Sequence, residues 1–122
     1  MQYVGLVYLE EKSFDAMSEL ELKRLQNDCL DYDDDLRKRG YLIQATPLQP
    51  VSAATTVRVR NGKASMTDGP FAETKEHLGG FMLIEARDLN EAIQLAARIP
   101  PAAVGSIEVR PIRPIRETAA RD

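Results

Sequence analysis

Several kinds of residue and segment are scarce or missing in this sequence, and each absence narrows the class of protein. The 122 residues include one cysteine, Cys29, so an internal disulfide is impossible and we expect a cytoplasmic protein. No apolar run approaches the roughly 18 residues that span a bilayer, and the amino terminus lacks the pattern of an export signal. With 43% apolar and 29% charged residues, the composition is typical of one soluble globular domain.

Signals of nucleic-acid and cofactor binding are also weak. The net charge of -3 and the 6% of aromatic residues argue against nucleic acid as the main partner. The one basic cluster, Arg110, Arg113 and Arg116, is typical of a solvated strand end. His77 is the single histidine and has no cysteine nearby, so no metal site is predicted. Because no glycine-rich phosphate-binding motif is present, we expect no cofactor.

Two stretches have the pattern of helices. Ser18 and Glu21 have the spacing of a capping box at a helix start. An apolar stripe at steps of three and four follows, formed by Leu22, Leu25, Cys29, Tyr32 and Leu36. This stripe predicts that Cys29 is a small core residue rather than a nucleophile. A second helix is predicted to begin after Asp88 and to end at Pro100.

Four further stretches are predicted to be strands of one sheet, namely residues 3–9, 41–48, 81–84 and 106–110. The first and third are apolar on both alternating faces, which is typical of central strands covered on both sides. Pro47 and Pro50 restrict the second to an edge of the sheet. The polar residues 10–15 are predicted to be a connection.

A β-hairpin lies between the second and third of these strands. Residues 55–60 alternate, and Asn61-Gly62 favours the positive φ angles of a type I′ turn. A two-residue turn pairs Val59 with Ala64 and Val57 with Met66, which places these four side chains on one face. The second arm then leads directly into Asp68.

The order strand, helix, strand, hairpin, strand, helix, strand predicts an α+β fold of the ferredoxin-like type, with an antiparallel sheet and two helices on one face. We assign this domain to residues 1–113 and a polar tail to residues 114–122. Two helices cover only one face of the sheet, while both central strands are apolar on both faces. We therefore expect a homodimer with twofold symmetry, packed sheet against sheet.

The segment 68–81 carries the candidate site, because it combines a turn, three carboxylates, a lysine, the single histidine and a Gly-Gly pair. The catalytic candidates are Asp68, as a base or as a structural turn residue, Lys75, as a cation, and His77, as an acid/base group. The ligand-binding candidates are Phe71, Glu73, Thr74 and Gly80. Phe71 is predicted to be an apolar plug under the loop. The charged residues of positions 73–76 are close enough in sequence for ion pairs.

The run Asp-Gly-Pro-Phe-Ala-Glu-Thr-Lys-Glu, followed by Gly-Gly-Phe, resembles the signature of the DGPF-type, YCII-related protein family. The resemblance covers roughly residues 1–113 and extends to the opening Tyr-Val-Gly-Leu-Val-Tyr strand and the final Glu-Val-Arg-Pro. It implies a dimeric ferredoxin-like α/β barrel. The wider YCII group is associated with a His–Asp pair in a cleft, and some relatives act on chlorinated aromatic breakdown products. The histidine of that pair is expected before or within the first helix, so His77 cannot supply it.

Three functional hypotheses remain open from the sequence. The first is a small enzyme that performs acid/base chemistry on a small anionic or carbonyl compound. The second is a non-catalytic module that binds a small ligand or a protein such as a sigma factor, since some DGPF relatives are encoded beside extracytoplasmic-function sigma factors. The third gives the segment 68–81 a purely structural role, joining the hairpin to the central strand.

Overall fold

The structure is a computed structural model, and it describes residues 1–115. Within these residues it contains a four-stranded sheet, a two-stranded hairpin and three helices. The strands are β1 (Gln2–Leu9), β2 (Leu42–Pro47), β3 (Thr55–Arg60), β4 (Lys63–Asp68), β5 (His77–Glu85) and β6 (Ser106–Pro111). The helices are α1 (Glu11–Asp15), α2 (Glu19–Lys38) and α3 (Leu89–Ala97). Two 3₁₀ turns, Val51–Ala53 and Pro100–Ala103, complete the chain of elements.

The large sheet has the strand order β2-β5-β1-β6, and every neighbouring pair is antiparallel. The two central strands are the two stretches that the sequence shows to be apolar on both faces. Strand β2 lies at an edge, where Pro47 interrupts no second ladder. This order, with α2 and α3 as the crossovers, confirms an α+β fold of the ferredoxin-like kind.

Helix α2 begins as its sequence predicts. The Ser18 hydroxyl accepts a hydrogen bond from the Glu21 backbone N–H at 3.1 Å, and the Glu21 carboxylate accepts one from the Ser18 N–H at 3.4 Å. The apolar stripe turns toward the sheet, and Leu36 near its end is 1% exposed. The stripe therefore attaches α2 to the sheet.

The hydrophobic core lies between the two long helices and one face of the sheet. Strand residues Tyr3, Met82 and Ile84 belong to one buried cluster with Leu36 of α2. The cluster also contains Ala92, Leu95, Ala96 and Ile99. The Tyr32 hydroxyl donates to the Leu95 backbone carbonyl at 2.6 Å, which ties α2 to α3.

The opposite face of the sheet, which we call the far face, consists of Val4, Leu6, Phe81 and Leu83. The strand register pairs Val4 with Leu83 and Leu6 with Phe81, so the four side chains form one apolar block. Polar residues flank the block on both edge strands, namely Gln44, Thr46, Glu108 and Arg110. All four apolar side chains remain partly exposed in a single chain.

The hairpin confirms the predicted register. Val57 pairs with Met66 and Val59 with Ala64. Asn61 and Gly62 have φ angles of +54° and +76°, as a type I′ turn requires.

One helix is missing from the sequence prediction. Residues 10–15 were expected to be a polar connection, whereas Glu11–Asp15 form the short helix α1. The Glu11 carboxylate accepts a hydrogen bond from the Val51 N–H at 2.9 Å, which links α1 to the β2–β3 connection. Five residues are too few for a helical period to be recognised.

Two predictions concern residues after position 115, which the structure does not describe. Residues 116–122 of the predicted polar tail lie outside the described residues, and so does Arg116 of the basic cluster. Within residues 1–115, no helix is long and apolar enough to cross a membrane.

The cap of α3 predicts a pH dependence of stability. The Asp88 carboxylate accepts a hydrogen bond from the Glu91 N–H at 2.9 Å, and this bond, assisted by Arg87, lowers the pKa of Asp88. Because the folded pKa lies below the unfolded one, the stabilisation is complete above the ordinary aspartate pKa of about 3.9. It is lost as the pH falls through the lowered folded pKa.

We therefore expect Asp88→Ala to be less stable than the wild type at pH 7, and the difference to shrink on acidification to pH 3. Urea unfolding followed by circular dichroism measures both values. Asp88→Asn is the control, because asparagine also caps helices but carries no charge, so its stability advantage over Asp88→Ala should not depend on pH. An equal gap between wild type and Asp88→Ala at both pH values would contradict the expectation.

Candidate functional site

A cleft of about 760 Å³ opens at one end of the large sheet. One wall is the β2–β3 connection, which contributes Leu48, Pro50 and Val51. The other wall is the segment 70–78, and Tyr8 at the end of β1 also contributes. Most of the lining surface is apolar, and polar side chains lie on both walls, with Gln49, Thr55 and Thr56 on one and Thr74, Glu76 and His77 on the other. This is the form expected of a small-molecule site.

The imidazole of His77 is one of the polar groups that line the cleft. Its Nδ1 lies 3.5 Å from the Thr74 hydroxyl oxygen. That hydroxyl donates its proton to the Glu76 backbone carbonyl, so its oxygen is left to accept a hydrogen bond from Nδ1. The network favours the tautomer with the proton on Nδ1. In that tautomer Nε2 keeps its lone pair and can accept a proton.

Glu76 contributes a half-buried carboxylate to the same cleft. The Ser106 hydroxyl lies 2.8 Å from one carboxylate oxygen and 3.3 Å from the other. Ser106 is the first residue of β6 and pairs with Tyr8. The carboxylate is thereby fixed to the sheet end, beside the start of β5.

The turn at the start of the segment is attached to the opposite wall. Gly69 has a φ of +102°, which favours glycine, and its N–H donates to the Ala54 carbonyl at 2.8 Å. The Thr56 hydroxyl donates to the Gly69 carbonyl, also at 2.8 Å. The positive φ confirms that Gly69 is not helical, as the proline after it predicts, and the two bonds attach the turn to the wall.

The structure brings only part of the predicted site together. Phe71, Thr74 and His77 line the cleft, whereas Asp68 and Lys75 are exposed and do not. Glu73 is also exposed and outside the lining. The catalytic roles given to Asp68 and Lys75 stay predictions.

The expected ion pairs of positions 73–76 do not form with any residue of the described range 1–115. Glu73 and Lys75 lie in a segment without helix or strand and face water. Separated charges are well solvated there, and pairing would gain little.

The prediction for Phe71 is wrong, because its side chain is 79% exposed instead of plugging the loop. The exposed ring still lines the cleft, so a ligand could contact it.

Gly80 occupies a different place from the other candidates. It is buried in β5, and a Cβ atom there would lie 2.9 Å from the Thr46 backbone carbonyl oxygen. Its lack of a side chain thus permits close contact between β5 and β2, and Gly80 does not line the cleft.

Tyr8 and the β2–β3 connection were not predicted to belong to the site, and Glu76 belonged to the predicted segment 68–81 without being one of its candidate residues. Tyr8 belongs to a strand whose pattern indicated only burial, and Glu76 is 30 residues from its partner Ser106. No local spacing signals such contacts.

Cys29 is half-buried on α2 and does not belong to the buried core cluster, so it is less buried than the stripe predicts. Burial still raises the pKa of its thiol, with the nearby Asp33 and Asp28 adding to the effect. A raised pKa keeps the sulfur protonated at neutral pH and makes it a poor nucleophile.

Comparisons with known proteins give one family match and one similar protein. The model of the YCII-related domain family matches residues 1–116. An uncharacterised protein of Rhizobium meliloti (strain 1021) is 39% identical over 114 residues, which cover 92% of each chain. Neither match brings an activity with it.

Proposed function

The chain belongs to the YCII-related domain family, and from this premise we propose that it binds a small, largely apolar compound in the cleft. The compound carries a carbonyl or similar polar group, to or from which His77 transfers a proton. One observation carries the proposal: the single histidine of the chain lines a mostly apolar cleft of about 760 Å³. Asp68 and Lys75 have a secondary role in this proposal, since neither lines the cleft.

The size and lining of the cleft support a small-molecule ligand. Sites for such ligands usually have about 300–1,000 Å³ and a few converging polar groups. Here Leu48, Val51 and Leu78 would contact the apolar body of the ligand. The polar part would lie near Thr74 and His77.

The proton-transfer role depends on the tautomer of His77. With Nδ1 oriented by the Thr74 hydroxyl, Nε2 is the nitrogen left for the ligand. A positioned general base of this kind typically contributes about 10²–10⁴-fold to a rate. A non-catalytic binding role would use the same cleft and lack only the proton transfer.

A structural role is favoured for part of the segment. The two hydrogen bonds of Gly69 attach the turn to β3 and to the residue before it. Asp68 ends β4 opposite Thr55. We infer that the turn positions the wall of the cleft, while the residues after it contact the ligand.

We also propose that two copies pair through their far faces to form a homodimer. The apolar block of Val4, Leu6, Phe81 and Leu83 is partly exposed, while the helices cover the other face. The alternation of β1 places Tyr8 on the same face as Leu6, and Tyr8 lines the cleft. The site would therefore lie beside the dimer interface.

Blocking the cleft tests the binding proposal. Acetophenone, an aromatic ketone, is a suitable probe, and its binding can be followed through amide shifts in NMR spectra. We expect Ala53→Trp, which places an indole in the cleft, to weaken binding at least about tenfold.

Ala103→Trp is the matched control for this experiment. Ala53 and Ala103 are both exposed and both end a 3₁₀ turn, but Ala103 does not line the cleft. The control should bind acetophenone as the wild type does. Absence of binding to the wild type, or equal binding to both variants, would contradict the proposal.

A further inference from the structure

The charges around the cleft point to its ligand class. We infer that the cleft selects neutral or positively charged compounds over anions, and that the Glu76 carboxylate sets this preference. The inference rests on the function proposed above and names the class of compound that the site accepts.

The first support is the absence of a fixed cation from the lining. Sixteen residues in the described part of the chain line the cleft, and none of them is lysine or arginine. Glu76 is the one carboxylate among them. Lys75 is its neighbour in sequence but is exposed and does not line the cleft. An anionic ligand would therefore meet a negative charge without a fixed positive partner.

The second support is the unused capacity of the Glu76 carboxylate. Its two oxygens share one donor, the Ser106 hydroxyl, and within residues 1–115 it forms no ion pair. An ionised carboxylate offers about four acceptor positions, so several remain for a ligand N–H or O–H group.

Partial burial makes this charge effective. Glu76 is partly buried beside a mostly apolar lining, where interactions between charges are stronger than in bulk water, while its contact with Ser106 is open to solvent. An ammonium group would form a short, charge-assisted hydrogen bond with the carboxylate. A ligand carboxylate would instead be repelled, and its loss of hydration would not be compensated.

Three probes with the same aromatic ring test this preference. Benzylamine, benzyl alcohol and benzoate present a positive, a neutral and a negative group at pH 8, where imidazole groups are ordinarily neutral. In about 150 mM salt, which screens long-range attraction to the acidic chain, we expect benzylamine to bind tightest and benzoate weakest. The dissociation constants of benzylamine and benzoate should differ about tenfold.

Variants of Glu76, Glu73 and Ser106 test whether the Glu76 carboxylate causes the charge preference. Glu76→Gln should bring the three dissociation constants within about twofold, because the amide keeps a hydrogen-bonding group without the charge. Glu73→Gln removes the same charge from an exposed position outside the lining and should leave the order unchanged. Ser106→Ala removes the hydrogen bond to Glu76 but keeps the carboxylate charge, so it should retain the order of the three dissociation constants. This variant tests the inference even if Glu76→Gln fails to fold.

The outcomes separate the inference from the function on which it rests. Benzoate binding as tightly as benzylamine to the wild type would overturn the charge preference while leaving the cleft as a binding site. The role of the Glu76 carboxylate would be overturned if folded Glu76→Gln kept the order of the three dissociation constants, or if Ser106→Ala lost that order. Failure of all three probes and of acetophenone to bind would remove the proposed function itself.

Discussion

Replacing Leu36 with alanine is expected to lower the free energy of unfolding by about 3 kcal/mol, within the range of about 2–5 kcal/mol for buried leucines. Leu36 is the largest side chain that is fully buried among the described residues, at 1% exposure. It packs into the cluster that joins α2 to the sheet, together with Met82 and Ile84. The truncation removes apolar contacts and leaves a cavity that these neighbours can fill only in part.

Leu30→Ala on the same helix provides the control. Its side chain is 62% exposed, so the identical truncation should change the free energy of unfolding by no more than about 0.5 kcal/mol. Urea unfolding at one fixed protein concentration compares the two variants, because dimerisation would make stability depend on concentration. Equal effects of the two truncations would show that α2 does not pack through Leu36.

Replacing Leu83 with aspartate is expected to abolish the proposed dimer. Leu83 lies in the apolar block of the far face, between Val4 on β1 and Gln44 on β2. Twofold pairing would bury one aspartate from each copy within the apolar block, with Arg110 of the far face two strands away. An unpaired buried charge costs several kcal/mol, which exceeds what a modest interface can supply.

Size-exclusion chromatography with light scattering at micromolar concentration measures this change. Wild type is expected to elute as a dimer and Leu83→Asp as a folded monomer. Leu30→Asp makes the same chemical change at an exposed position of α2 and should remain dimeric. A monomeric wild type, or a dimeric Leu83→Asp, would contradict the pairing of far faces.

Those parts of the fold that depend on neighbouring residues could be predicted from the sequence. The pair Asn61-Gly62 determines the hairpin turn and, through it, the register of Val57 opposite Met66. The capping box of Ser18 and Glu21 likewise acts within one helical turn. The central position of two strands in the sheet was visible because their runs of apolar residues contain no polar alternation.

The site was less predictable, because its contacts join distant parts of the chain. Glu76 meets Ser106 across 30 residues, and Glu11 meets Val51 across 40. Phe71 is apolar, but its exposure depends on the path of the segment after Gly69 rather than on its own chemistry. The dense group of reactive residue types falls on a segment that lines the cleft, while the particular side chains in the lining depended on the tertiary structure.

The NMR signals of the His77 ring test the central claim most directly. The chain has one histidine, so its imidazole Cε1–H signal is assigned without ambiguity. On titration with acetophenone, we expect this signal to shift with the same dissociation constant as the amide signals of Thr74 and Val51. A ring signal that stays in place while acetophenone saturates another part of the chain would contradict the proposal that His77 acts on the ligand.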